Sequence, residues 1–483
     1  MTDAPTARVG TGALRGTAEG GVVRHLGVPY AAPPVGGHRF AAPAPPEAWE
    51  GVRDASVHGP AAPQTPYEGA VGEILPSVDT VGEDHLHVNV WAPENAAPGS
   101  LPVLLWFHGG ALVRGGNSLS AYDGTAFARD GVVFVSANYR LGSEGFSVLE
   151  DAPPNLGLAD QLAALRWVRR EIAAFGGDPG RITVAGQSAG AGTTAALIAH
   201  PEAGRLVRRA IVQSGPLTAS PRDRAGRITR LIAQDLGIAA TRDAFAGVKP
   251  EDLVAAQHRV MDAGGPLVGG PAFGLAVDGD LVPRSPYDAL RDGAADHLDL
   301  LIGTTREEHR LWLAPTGADR DLGWPLLVLG ALRFGVGPAT LRRLGSHRPG
   351  MGAGMLAGAL VGEVVLGRPA RRVARARAAR GAATHLYEFA WRSPVAGLGA
   401  AHCMELPFVF DRLGTPGALA LTGPDAPAAL AERVHRAWVD FVRDGDPGWP
   451  AAAGRAEPHV LDADRPGPVR GAGPPGTGGP CPG

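Results

Sequence analysis

Residues Arg181 to Thr194 read RITVAGQSAGAGTT. The segment starts β-rich at Ile182 and Val184 and passes through Gly186-Gln187-Ser188-Ala189-Gly190. It continues through small residues into the apolar run Ala195-Ala196-Leu197-Ile198. This is G-x-S-x-G between a strand and a helix, the context in which the turn holds its serine at a sharp corner. The glycines have a steric purpose. Without Cβ atoms at 186 and 190, the incoming strand and outgoing helix can pass close together while Ser188 takes a strained conformation. The product is a hydroxyl at a strand tip with a helix N-terminus aimed at it. A Gly/Ser turn without chemistry would share the five residues but would not need this strand and helix around them.

Further strands and helices extend outward from this turn. Leu86 to Trp91 alternates, with Leu86, Val88 and Val90 on one face, a period of two. Pro102–Phe107 (PVLLWF) is continuously apolar, as in a strand buried on both faces, and Val132–Ser136 repeats the signal. Leu158, Leu162, Leu165, Val168 and Ile172 form a helical stripe. Strands are expected at Ala210–Gln213 and Leu298–Ile302. Residues 1–60 hold short strand-like pieces with turn signals, and the prolines of Gly27–Phe40 suit an extended surface segment. Strands alternating with helices predict an α/β fold, a mostly parallel sheet covered on both sides. Two Ala/Leu/Arg-rich regions, about 222–273 and 322–380, are expected to be helical insertions capping the carboxyl edge of that sheet. One domain over 1–463 is expected, followed by a disordered Pro/Gly-rich tail over 464–483.

Composition excludes several function classes. The chain has 483 residues and a net charge of −3, so there is no electrostatic case for nucleic acid or an anionic membrane. The basic run Arg371–Arg380 reads as a solvated helix face in an arginine-biased chain, since Lys249 is the only lysine among 45 basic residues. The N-terminus has no apolar signal-like core, and no stretch of about 18 apolar residues predicts a membrane span. Cys403 and Cys481 are the only cysteines, which fits a reducing cytoplasm.

An activated serine needs a base, a group to orient the base, and donors for the oxyanion. His108-Gly109-Gly110-Ala111, directly after strand 102–107, offers backbone donors on small residues. In order along the chain stand HGGA, NYRLG (Asn138–Gly142), NLGLADQ (Asn155–Gln161), FGGDP (Phe175–Pro179) and GQSAGA (Gly186–Ala191). With GVPYAAPPVG and EDHLHVNVWAP upstream, and IVQSG, VDGDLVP and DFVRDGDP downstream, the chain resembles the type-B carboxylesterase family over roughly residues 10–460.

The resemblance implies the α/β-hydrolase fold and an acyl-enzyme mechanism without cofactor or metal. It matches Gly303-Thr304-Thr305-Arg306-Glu307-Glu308 to the acid segment, giving Glu308, with Glu307 as competitor. It matches Gly399-Ala400-Ala401-His402-Cys403-Met404-Glu405-Leu406-Pro407-Phe408 to the base segment, giving His402. The order Ser188, Glu308, His402 suits the fold. Implied roles follow. Ser188 attacks, His402 carries the proton, Glu308 fixes the imidazole, and the N–H groups of Gly110, Ala111 and Ala189 hold the oxyanion. Loss of activity is expected as His402 protonates, near its ordinary value of about 6.5.

Departures from the family pattern are informative. Ala62 and His85 stand where the family often has a bridged cysteine pair, so loop 63–84 lacks that tie. Gln187 replaces the usual glutamate before the serine, and Glu171 stands where asparagine is usual. Ser214 reads either as a support for the acid or as a strand-end residue. His85 and His87 could face one metal but have no third ligand. Cys403 reads as a small buried residue, and Asp278 and Asp280 as structural. Small to medium neutral esters are the expected substrates. Cationic ones are not, because cation recognition needs aromatic faces and loop 63–84 offers only Tyr67. Amide, carbamate or lactone cleavage would use the same residues. A non-catalytic binding role, the remaining alternative, would not require all three. Oligomeric state is left open.

Overall fold

The structure is a computed structural model that describes residues 4–263, 272–317, 323–346, 352–454 and 456–464. The expected disordered tail therefore lies, beyond Asp464, outside the described residues, as do Cys481 and parts of both expected insertions.

Ten strands form the main sheet: β1 (Thr17–Glu19), β2 (Val22–Pro29), β3 (His87–Pro93), β4 (Leu101–Phe107), β5 (Val133–Ala137), β6 (Gly177–Gln187), β7 (Arg209–Gln213), β8 (Asp299–Thr305), β9 (Thr384–Phe389) and β10 (His459–Leu461). Their spatial order is β10-β9-β8-β7-β6-β4-β5-β3-β2-β1. From β10 to β5 every pairing is parallel, and the remaining pairings are antiparallel. A separate three-stranded sheet joins Thr6–Val9, Gly12–Arg15 and Val52–Asp54.

The continuous apolar runs have a direct explanation in the packing. Along β4, Val103, Leu105 and Phe107 enter one core, while Leu104 and Trp106 enter the core on the opposite face. Val133 and Val135 against Phe134, and Leu300 and Ile302 against Leu301, divide in the same way. A strand with no solvent face has no reason to alternate polar and apolar residues. Helices α1 (Leu156–Glu171) and α2 (Ala189–Ala199) cover one face through Leu158, Leu165, Val168 and Leu197. Helices α3 (Arg310–Thr316), α4 (Trp324–Arg333) and α5 (Ala353–Gly362) follow β8. The second face is covered by α6 (Ala428–Asp444), with Leu430, Val434, Trp438 and Phe441 inward.

Strand β9 was not legible, because Thr384, His385 and Glu388 interrupt its apolar residues, and β10 is only three residues long. Both expected insertions contain helices, but they differ in place. Among the described residues, 222–263 contributes nothing to the cavities at Ser188, whereas α4 and α5 line one of them. The arginine run is also only partly solvated. The side chain of Arg377 is wholly buried, donating to the carbonyls of Leu298 (2.7 Å) and Ala295 (2.8 Å), and burial lowers its pKa to about 10. Helix α5 continues through a π-turn at Glu363–Gly367 into Arg368–Ala379. By length and composition Ala353–Ala379 could cross a membrane, although no such span was expected. Part of it packs against the protein through Leu356, Leu360, Val373 and Ala374.

Two of the motifs tie the scaffold together. Arg140 and Asp160 form a bidentate ion pair (2.7 and 2.8 Å), both wholly buried, and Arg140 also donates to the carbonyl of Ala41. Asn155, in a left-handed conformation at the start of α1, donates to Asp278, whose carboxylate accepts from the N–H groups of Asp280 and Val282. Removing one member of a buried pair leaves the other charge uncompensated. Asp160→Ala is therefore expected to destabilise the protein by about 3–5 kcal/mol, read as a lowered midpoint in urea unfolding with no new ionisation to offset it.

Candidate active site

Ser188 sits between β6 and α2 with φ 57° and ψ −123°. A non-glycine residue holds such a conformation only when its surroundings over-determine it. Here the Ser188 N–H donates to the carbonyl of Gln213 (2.8 Å), and the Ser188 carbonyl accepts from Ala191 and Gly192 (3.0 Å each). The flanking glycines are sterically required. A Cβ on Gly186 would lie 2.4 Å from the Gly190 carbonyl oxygen, and one on Gly190 would lie 2.1 Å from that of Phe107.

The loop after β4 comes to the same place. Gly110 has φ 115°, and a Cβ there would meet the Arg114 carbonyl oxygen at 1.9 Å. Ala111 and Leu112 also have positive φ. No hydrogen bond ties the N–H groups of Gly110 and Ala111 to an acceptor among the described residues. Ala189 begins α2, where N–H groups lack an acceptor one turn earlier. His108 anchors the loop: its ring stacks on Tyr139 at 4.5 Å, and the Tyr139 hydroxyl donates to its carbonyl at 2.7 Å. Burial lowers the His108 pKa to about 4, so this ring is neutral and adds no cation beside the serine. Loop 63–84 is held without a disulfide. Gln64 exchanges two hydrogen bonds with the Gly115 backbone, and Ala61 bridges Val81.

Glu308 and His402 are in direct contact. His402 Nδ1 lies 2.5 Å from Glu308 Oε2, and both groups are buried. The other carboxylate oxygen, Oε1, accepts from Ser214 Oγ at 2.7 Å and from the Thr305 N–H at 2.8 Å. Ser214 thus supports the Glu308 carboxylate. The competitor Glu307 faces elsewhere. It accepts from the Ala400 N–H at 2.9 Å, pairs with Arg310 at 2.7 Å, and occupies the space that a Cβ on Gly399 would need. Glu307 therefore fixes the loop that carries His402, and Glu308 meets the ring itself.

With Nδ1 donating to Glu308, His402 Nε2 is an acceptor, and Gln187 Nε2 approaches it at 3.1 Å. Trp312 lies against the same ring at 5.0 Å. Burial acts to lower the His402 pKa, but Cys403 and the Glu308 carboxylate more than reverse this, and the group titrates above 6.5. Ser188 and His402 line two cavities together, of about 170 and 820 Å³. Gly110 and Ala111 line the smaller one.

Other candidates have local partners. His85 Nδ1 bonds the Gly82 carbonyl, and His87 pairs with Asp84 at 3.3 Å. Among the described residues no group of three His, Cys, Asp or Glu could hold a metal ion. Glu171 accepts from the Gly10 N–H, and Cys403, expected to be buried, is only partly so and lines the smaller cavity. Trp312 and the buried Glu405 were missed from sequence. Glu405 accepts from Gln213 at 3.1 Å, and burial followed by the nearby Glu308 charge raises it to about 7. Glu405 stands inside the matched base segment, a signal that was not used, and Trp312 had none.

Gly190→Ala is expected to force the Phe107 carbonyl and α2 apart and to cost about 1–3 kcal/mol or more. Unfolding midpoints within error of the unsubstituted protein would contradict the packing described here.

The carboxylesterase family model matches residues 3–322. The para-nitrobenzyl esterase of Bacillus subtilis is 36% identical over 453 residues, 91% of each chain. A phenmedipham hydrolase of Pseudarthrobacter oxydans is 38% identical over 469 residues, 92% of this chain and 91% of its own. The solved carboxylesterase EST55 of Geobacillus stearothermophilus superposes with a TM-score of 0.83 at 37% identity, covering 95% of this chain and 96% of its own. The chain belongs to the carboxylesterase family and is a carboxylic-ester hydrolase of the α/β-hydrolase fold.

Proposed function

We propose that Ser188, His402 and Glu308 are the catalytic triad, and that the enzyme cleaves small to medium neutral carboxylic esters through an acyl-enzyme. The observation that carries this reading is the buried contact of His402 Nδ1 with Glu308 Oε2, whose other oxygen is already engaged by Ser214 and Thr305. Oε2 then fixes one tautomer while the bonds to Oε1 hold the carboxylate in place, leaving Nε2 as the acceptor.

Ser188 Oγ attacks the acyl carbon as its proton passes to His402 Nε2. The carbonyl electrons move to oxygen, where the N–H groups of Gly110, Ala111 and Ala189 stabilise the negative charge. Collapse expels the alcohol, which takes the proton from Nε2. Water then repeats the cycle on the acyl-enzyme and releases the acid. At rest the Gln187 amide donates to Nε2, and it must yield to the serine hydroxyl.

Apolar walls favour neutral esters. Beyond the triad and Cys403, the ionisable residues lining the cavities are Tyr67, Arg114, Tyr122, His309, Arg333 and Arg412. These give a cationic substrate no carboxylate partner besides Glu308. The proposal takes residues 1–463 as one catalytic domain and the reducing cytoplasm as its compartment. Ala62 and His85, standing in place of a bridged cysteine pair, support the latter. The relative named a phenmedipham hydrolase favours a second reading, in which the same residues cleave a carbamate.

Ser188→Ala is expected to lower ester turnover by about 10⁴-fold or more and to prevent labelling by a fluorophosphonate. Near-normal turnover of p-nitrophenyl esters would reject the assignment. Because His402 must be neutral to accept the proton, kcat/KM is expected to fall with decreasing pH, with its midpoint above 6.5 rather than at the ordinary value. Glu308→Gln removes one of the two groups that favour the imidazolium, so the midpoint should move down while kcat drops by about 10⁴. A midpoint at or below 6.5 in the unsubstituted enzyme would count against the environment described.

A further inference from the structure

Two cavities meet at Ser188, and the residues they share are Ser188, His402 and Trp312. The wall between them is α3, which starts two residues after Glu308. Its neighbouring residues divide between the two sides. Leu311 lines the smaller cavity, Leu313 lines the larger, and Trp312 borders both while resting against the His402 ring.

The two spaces differ in size and surroundings. A cavity of about 150 Å³ holds one benzene ring, so the smaller cavity, at about 170 Å³, suits one ring-sized group. The larger, at about 820 Å³, is walled by α4 and α5 through Leu327, Ala357 and Leu360. Its outer side is apolar as well. Leu329 and Val361 line it and are exposed, and Leu332 beside them is exposed. An apolar chain longer than the cavity would therefore continue onto apolar surface rather than into water.

We propose that Trp312 is a specificity-determining residue, the partition that assigns the long apolar substituent of an ester to the α4–α5 side and a ring-sized substituent to the other. This rests on the triad reading above. A p-nitrophenyl ester would place its ring in the smaller cavity and its acyl chain in the larger. An ester bulky at both ends would be excluded by the Trp312 indole.

Three enzymes test this against p-nitrophenyl acetate, p-nitrophenyl decanoate and 2-naphthyl decanoate. In the unsubstituted enzyme, naphthyl decanoate should be the poorest substrate. Trp312→Ala joins the cavities and should raise kcat/KM for naphthyl decanoate, relative to p-nitrophenyl acetate, by about tenfold or more. Leu313→Trp narrows only the larger cavity and should lower the decanoate-to-acetate ratio by about tenfold. Fluorophosphonate labelling of Ser188 is measured throughout. If labelling persists and neither ratio moves in either variant, the partition is overturned while the triad stands. If the unsubstituted enzyme does not label, the triad reading itself has failed. Should Trp312→Ala not fold, Trp312→Leu and the independent Leu313→Trp ratio decide the matter.

Discussion

The contact on which the rest of the structure depends is the approach of Gly190 to the end of β4. A methyl group at that position would lie 2.1 Å from the Phe107 carbonyl oxygen and 2.5 Å from that of His108. Only hydrogen fits, and because it fits, three pieces of chain share one point: the tip of β6 with its strained serine, the first turn of α2, and the Gly110-Ala111 backbone. An oxyanion donor has to lie within hydrogen-bond distance of where charge develops. Close backbone packing holds these N–H groups more firmly than it would long side chains, since it leaves no rotamers to freeze.

A second constraint comes from the sheet. Parallel strands all end on one edge, so Phe107, Gln187 and Thr305 deliver their loops to the same side. Ligands in open α/β folds bind along that edge for this reason. Glu308 arrives on the loop directly after β8. His402 arrives later, on a loop of its own, and depends on other ties for its position. The Glu307 carboxylate accepts from the Ala400 N–H, and the Glu307 N–H donates to the Ala400 carbonyl at 2.8 Å. Adjacent glutamates thus divide the labour: Glu307 holds the loop and Glu308 meets the ring.

The electrostatics around the site are economical. Burial keeps His108 neutral and favours the protonated form of Glu405, with Glu308 nearby, so few fixed charges surround the serine. Gln187, being uncharged, keeps that count low. It places an amide rather than a carboxylate against His402 Nε2. Two groups favour the imidazolium, Cys403 next to the histidine and Glu308 on the Nδ1 side of the ring.

Ser188, Glu308, His402 and the Gly110-Ala111 backbone, the residues proposed for catalysis, could all be picked out in the sequence, because each requirement there is local. A glycine needed for close approach, a serine between them, or a histidine in a matched segment is visible within ten residues. The central strands were legible because burial on both faces writes itself as an unbroken apolar run. Other features had no local sign. Ser214 could be assigned only once β7 was seen beside β8, which puts its hydroxyl on Glu308. The arginine run read as solvated until packing against Leu298 and Ala295 buried Arg377. Among the described residues, the first helical region does not line the cavities at the serine. Trp312 gave no signal, because its role depends on which two spaces α3 separates. The chemistry was therefore set by residue types at short range. The size of each cavity, and what divides them, depended on how distant helices settle over the sheet edge, which is a property of side-chain volume in three dimensions and has no period along the chain.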